Sequence, residues 1–306
     1  MHLNHLLKML ISKLRIIEGI VARALVRFLP DDIYIKMAFH SRVGYYPNLN
    51  NPKTYNEKLQ WLKLNYHRAE YSGMVDKITA KEYVRSIIGE EYIINTIGTW
   101  DNVDDVDWDS LPMQFVIKVT SDSGGIVVCK DKSQLDIAKA VSKLKKGWGQ
   151  NYYKYNKEYP YRGVVPRILA EEYIECEDDG ELKDYKFFCF DGEPKFLFVA
   201  SDRQNPDQET KFDFFDLGWN HLPVINGHPN SDQTPYKPER FDEMIDIAAK
   251  LSQGMPHVRV DLYNIKGKIY FGELTFFHWS GMMAFSPLEW DYRFGEYINL
   301  PAKVRY

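Results

Sequence analysis

The sequence predicts a mixed α+β fold of one large domain or two to three subdomains, and three observations carry that prediction. The chain has 306 residues, 44% apolar and 27% charged, enough to bury a sizeable core. Its first half is punctuated by apolar residues at helical spacing. From Val165 onward short β-branched and aromatic runs dominate, joined by turn residues into antiparallel hairpins rather than a strict βαβ alternation.

The amino-terminal run "HLLKMLISKLRIIEGIVARALVRFL" places Leu3, Leu7, Leu10, Leu14, Ile17, Val21, Leu25 and Phe28 on one helical face. Lys8, Lys13, Arg15, Arg23 and Arg27 stand against Glu18 alone, so the segment carries +4. Lys8 and Lys13 interrupt the apolar core that a signal peptide needs. Two readings remain for residues 1–29: a helix packed on the body of the protein, or a peripheral anchor on the inner face of a membrane.

Residues 30–98 read as mostly helical, broken at Pro47 and Pro52. Thr54 and Glu57 have capping-box spacing, which starts a helix at Tyr55. "SGMVDKITAKEYVRSIIG" reads as one helix stopped by Gly89, and "YIINTIGTW" as a strand. Residues 99–170 form a second unit. It runs from an acidic loop through "FVIKVTSDSGGIVVCK" to the helix "SQLDIAKAVSKLKKGW" and a tyrosine-rich, basic stretch at 148–165 expected to be mobile or to contact substrate. Residues 171–306 form a third, strand-rich unit, interrupted by the helix "KPERFDEMIDIAAKLSQG".

A net charge of −4 gives no general basic field for nucleic acid. Cys129, Cys176 and Cys189 are too scattered for a disulfide framework or a zinc site, and read as reduced thiols of a cytoplasmic protein. No apolar run reaches the ~18 residues of a spanning helix.

Two hairpins carry the chemistry. In the first, Val116, Lys118 and Thr120 share a face, and Gly124 and Gly125 at the tip could turn N–H groups toward phosphate, with hydroxyls from Ser121 and Ser123. A lysine before the loop and a strand after it exclude the strand–loop–helix order of a P-loop. An ordinary glycine turn beside a surface lysine fits this stretch equally well. In the second, "HVRVDLYNIKGKIYFGELTFF", a three-residue loop at "IKG" would set Arg259 opposite Glu273 with Asp261 diagonal, and Phe271 on the same face. Two such carboxylates suit magnesium, and the arginine suits charge developing in phosphoryl or acyl transfer. A solvated Arg–Glu pair is the competing reading. Asp184, Lys186 and Phe188 alternate onto one strand face, where the carboxylate could hold ribose and the lysine approach phosphate.

In order along the chain stand Asp76-Lys77 before a helix, "FVIK" with its glycine loop, "EEYI", "DYKF", "RVD" and "GEL". This ordered set, over about residues 70–285, resembles the ATP-grasp enzymes. "NPKTYNEKLQWLKL" ahead of it and "KIYFGELTFFHWSGMMAFSPLEWD" behind it resemble the TupA-like branch, associated with teichuronopeptide and other surface-polysaccharide biosynthesis. The resemblance implies an ATP-grasp fold, two α+β subdomains clasping ATP. It implies phosphate contacts from Lys77 and Lys118 and a lid from Ser121 through Gly125. Adenine would meet Glu171, Glu172 and the backbone at Ile174, and ribose would meet Asp184. Asp261 and Glu273 would hold Mg2+, with Arg259 and Lys186 serving the reacting group. The family commonly has asparagine where this chain has Thr275, a poorer second-metal ligand.

The implied activity is ATP- and Mg2+-dependent ligation of a small-molecule or glycan carboxylate to an amine through an acyl phosphate. Arg203, His278, Ser280 and Gly281 are the acceptor-side candidates. A glycosyltransferase using Asp105, Asp107 and Asp109, a kinase on the same fold, and a scaffold without turnover are the alternatives.

Overall fold

The computed structural model describes residues 2–175, 182–203 and 208–305, with side chains from Met9 onward; Cys176 lies outside the described residues. Helices α1 (His2–Ala24) and α2 (Asp31–Val43) lead to α3 (Tyr55–Asn65), α4 (Tyr71–Val75) and α5 (Thr79–Ile88). The strands and helices β1 (Thr96–Trp100), β2 (Phe115–Val119), β3 (Ile126–Cys129), α6 (Ile137–Trp148), α7 (Tyr152–Asn156) and β4 (Ile168–Glu172) follow. Next come β5 (Asp184–Phe190), β6 (Glu193–Ser201), β7 (Lys211–Asp216), β8 (His221–Leu222) and α8 (Phe241–Leu251). β9 (Val258–Ile265), β10 (Lys268–Thr275) and α9 (Glu289–Glu296) complete the chain.

α3 begins at its expected capping box: the Glu57 N–H donates to Thr54 Oγ1 and the Thr54 N–H to the Glu57 carboxylate. The single helix expected over residues 72–89 is instead two. Asp76 Oδ1 accepts from the N–H groups of Ile78 and Thr79, at 3.1 Å each, and so starts α5 afresh. Gly89 ends α5 where its position predicts, with a φ of 103° that favours glycine.

The strands form two antiparallel sheets, ordered β1-β4-β2-β3 and β10-β9-β5-β6-β7-β8. In the smaller sheet Phe115, Ile117 and Val119 alternate into a core with Leu144 of α6, which leaves Val116 and Lys118 on the other face. The larger sheet packs one face on α8, where Phe187, Val260, Leu262 and Phe271 join Phe241 and Met244. Each such side chain contributes about 1.5–3 kcal/mol by burial. Cys129 and Cys189 are free and buried.

The β9–β10 hairpin departs from its expected register twice. Its loop is the two residues Lys266 and Gly267, both left-handed, so Ile265 pairs with Lys268 and the three-residue loop is not formed. A bulge at Gly272 then adds one residue to β10. A Cβ at Gly272 would lie 3.1 Å from the Asp261 carbonyl, which explains glycine there. The two offsets sum to an even number, so Arg259, Asp261 and Glu273 still share a face. Their pairing changes: Glu273 stands opposite Asp261, and Thr275 opposite Arg259. Phe271 moves to the core face, contrary to expectation, because the bulge lies between it and Glu273.

Helix α1 does pack on the body, but not through its apolar face. Ala22 and Val26 are buried beside α2, Glu18 pairs with His40 at 2.5 Å, and Arg15 donates to the Ser41 carbonyl. Among the described residues no helix is long and apolar enough to cross a membrane.

Candidate active site

Strand pairing brings the expected residues of the larger sheet together. Lys186 lies opposite Asp261, and Phe188 opposite Arg259, so β5, β9 and β10 present one charged face. Arg259 grips Asp261 with two N–H groups, at 2.6 and 2.7 Å, and reaches Glu273 at 3.1 Å and Thr275 Oγ1 at 3.0 Å. Lys186 bridges Asp261 and Asp184, and Arg203 closes on the same Asp184 oxygen at 2.5 Å. The other Asp184 oxygen, Oδ1, is buried without a partner among the described residues. Against its burial, Lys186, Lys77 and Arg259 hold the Glu273 carboxyl far below its usual range. Burial pushes the Asp261 carboxyl up, with Arg259 and Lys186 pulling the other way.

His278 is a packing and positioning residue. Burial, with Arg259 close by, keeps it neutral; Nδ1 accepts from Arg259 at 2.7 Å, and Nε2 lies 2.9 Å from Asn226 Oδ1. It sits among the rings of Phe188 and Phe198. Trp279, Ser280 and Gly281 follow in three successive left-handed conformations. Lys63 donates to the Ser280 carbonyl at 2.6 Å, and Gln60 to the Gly281 carbonyl at 2.7 Å. The Ser280 hydroxyl donates a hydrogen bond to the Glu158 carboxylate. Ser280 and Gly281, two of the four acceptor-side candidates, are therefore engaged in holding the turn.

On the smaller sheet Lys118 and Lys81 both close on Glu171, the latter at 2.5 Å. Against its burial, these two lysines hold the Glu171 carboxyl below its usual range. Lys77 donates to the Asp122 carbonyl at 2.7 Å. Burial lowers its pKa, with Glu273 of the larger sheet the strongest opposing charge, so this lysine senses both sheets. Gly124 and Gly125 are not left-handed, and their N–H groups do not open onto the cleft. Both donate to Asp122 Oδ2, which fills the role expected of a phosphate oxygen. Gly125 is glycine for space, since a Cβ would lie 2.9 Å from Val119 and 3.1 Å from Gly147.

A cleft of about 200 Å³ runs between the sheets, lined by Val116, Lys118, Glu171, Glu172, Ile174 and Arg203, with Tyr263 beyond them. Ser121 is buried but is not among the cleft's lining residues, and Ser123 pairs with the Tyr152 hydroxyl at 2.7 Å. Sequence reasoning missed Lys81, Asp122 and Asn226. Lys81 stands four residues after Lys77, a spacing that could have flagged it; the other two acquire their roles only through tertiary contact.

The stretch over residues 152–161 is a strap. Tyr152 donates to Asp122 Oδ1 at the lid tip, Lys157 pairs with Asp31 at 2.8 Å, Tyr159 stacks on His67, and Glu158 holds Ser280. Asp107, from the glycosyltransferase alternative, accepts the N–H groups of Asp109 and Ser110 in an exposed turn. Among the described residues no three His, Cys, Asp or Glu side chains cluster as metal ligands. Asp261 and Glu273, cross-strand neighbours on one face, fit the one or two protein carboxylates that Mg2+ uses beside substrate phosphates.

Residues 57–299 match the family described as TupA-like ATPgrasp. The chain belongs to that family. No curated protein matches the chain. Among solved structures, this TupA-like ATP-grasp protein is similar to the D-alanine–D-alanine ligase of Bacillus anthracis complexed with ATP. Identity is 14% over 66% of this chain and 53% of that one, with a TM-score of 0.38. It is also similar to the ATP-grasp ligase PsnB with its minimal precursor, at 10% identity over 72% and 58% and a TM-score of 0.39. The D-alanine–D-alanine ligase of Helicobacter pylori matches at 13% over 74% and 61%, with a TM-score of 0.39. The chain thus spans little more than half the length of these ligases.

Proposed function

We propose that this TupA-like ATP-grasp protein is an ATP-dependent carboxylate–amine ligase. The observation that carries the reading is the Arg259–Asp261–Glu273 cluster on the larger sheet, whose Glu273 carboxylate acts on Lys77, the lysine that donates to the Asp122 carbonyl at the tip of the β2–β3 loop. Val116, Ile174 and the backbone beside Glu172 offer an apolar slot for adenine, and the unpartnered Asp184 Oδ1 suits a ribose hydroxyl. Lys118 and Lys77 would bind the phosphates. Asp261 and Glu273 would hold Mg2+, which when bound offsets phosphate charge. Thr275 Oγ1, already shared by Arg259 and Glu273, is a weaker second ligand.

In this mechanism the substrate carboxylate attacks the γ-phosphate, releasing ADP and forming an acyl phosphate. The amine then displaces phosphate and makes the amide. Arg259, held by Asp261 and by neutral His278, stabilises the developing oxyanion, and Lys186 offsets charge beside it. Closure of the lid over the intermediate excludes water. The acceptor side would be shaped by the Trp279–Gly281 turn and by Arg203. From the branch association, the reaction would attach an amino acid or amine to a uronic acid of a surface polysaccharide, in the cytoplasm.

ADP release over a panel of uronic acids and amino acids tests this. Full turnover should need both a carboxylate and an amine and yield an amide; a stable phosphorylated product would instead indicate a kinase. Asp261→Asn and Glu273→Gln should each abolish Mg2+-dependent ADP release while the protein stays folded by circular dichroism. Unchanged turnover in both would remove the ligase reading.

A further inference from the structure

Helix α1 is mounted with its polar and small residues inward. Glu18, Gly19, Ala22 and Val26 face α2; a Cβ at Gly19 would lie 2.3 Å from Ser41 Oγ. The opposite side carries Met9, Leu10, Leu14, Ile16, Ile17, Ile20, Val21, Leu25 and Phe28, each between 41% and 81% exposed. At 100° per residue those within α1, Met9 to Val21, span a little under half the helix circumference along a strip roughly 18 Å long, which Leu25 and Phe28 extend past the helix end. Such a patch far exceeds the scattered apolar exposure of an ordinary surface.

Charge identifies what covers it. Residues 1–29 carry five basic side chains against one acidic one, +4, so the rest of a chain of net −4 carries −8. Glu18 is moreover turned inward, hydrogen-bonded to His40 and to the Tyr46 hydroxyl. We infer that α1 lies flat on an anionic lipid bilayer, its outer arc in the acyl boundary and Lys13 and Arg27 reaching back to headgroup phosphates. The acidic body would be repelled by the same surface, which fixes the protein with α1 downward. Pairing with a second copy fits less well. A two-helix seam is narrower than this arc, would leave Met9 and Ile16 wet, and would bring two helices of like charge together.

The test is sedimentation of the full chain with vesicles, a measurement independent of ATP turnover. Vesicles of phosphatidylcholine containing about a third phosphatidylglycerol should pellet the protein, and pure phosphatidylcholine should pellet it at least about tenfold less well. Binding should fall by about tenfold or more in Ile17→Glu/Ile20→Glu, in Lys13→Glu/Arg27→Glu, and in high salt. Both double variants change exposed side chains, and unaltered circular dichroism confirms their fold. Absence of pelleting, equal pelleting on both vesicles, or a dimer in solution that Ile17→Glu/Ile20→Glu dissociates would overturn the inference.

Discussion

On the smaller sheet two lysines, Lys81 and Lys118, close on a single carboxylate, Glu171, with Lys77 nearby; on the larger, Asp184, Asp261 and Glu273 meet Lys186, Arg203 and Arg259. The first cluster has cations in surplus, and the second is balanced. A surplus can accept an anion without losing any existing pair. A balanced cluster cannot take a cation or a phosphate without rearranging, because both Asp261 oxygens already accept from Arg259. The cluster around Glu171 is therefore an open electrostatic site, whereas the larger sheet is a closed network that any further ion must reorganise.

Removing one cation from each cluster should break the comparison most sharply. Arg259→Met leaves buried Asp261 with Lys186 alone and should cost about 3–5 kcal/mol in urea unfolding, with loss of turnover. Lys118→Met leaves Glu171 paired with Lys81, so the stability loss should be smaller, about 1 kcal/mol, while ATP affinity by calorimetry weakens about tenfold or more. Equal stability losses would show that the Glu171 cluster is as closed as the larger sheet.

A weaker effect tests both clusters by pH. Glu171 and Glu273 both titrate below their unfolded value, so each stabilises the fold above that value and loses its contribution as the pH falls beneath it. Unfolding measured from neutral pH into acid should show a steeper loss in the parent than in Glu273→Gln. Glu171→Gln should likewise flatten the curve, because its carboxyl is also held below the usual range.

Much of this site was legible because strand alternation survives errors of register. Arg259, Asp261 and Glu273 share a face in the sequence reading and in the structure, although the turn and the bulge each displaced the pairing by one residue. Phe271 had no such protection: only one of the two offsets lies between it and the turn, so it changed faces. The lid tip was misread for a different reason. Glycine signals either a left-handed backbone or close packing, and only the neighbouring Gly147 shows that packing is what Gly125 serves. Asp122, which takes the loop's N–H groups, sits in a polar run with nothing local to set it apart. Helix α1 shows the limit of amphipathicity: its period locates the apolar face, but only the packing of Gly19 and Ala22 reveals that this face points outward.

The strap at residues 152–161 has a mechanical meaning. Tyr152 is fastened to the lid tip, and Glu158, six residues later, to the strained turn beside Arg259. On the proposed function, the strap would couple movement of the β2–β3 loop to the turn that shapes the acceptor side. Admission of nucleotide and presentation of the second substrate would then be strokes of one lever, with a badly seated acceptor felt at the loop before any phosphate is committed.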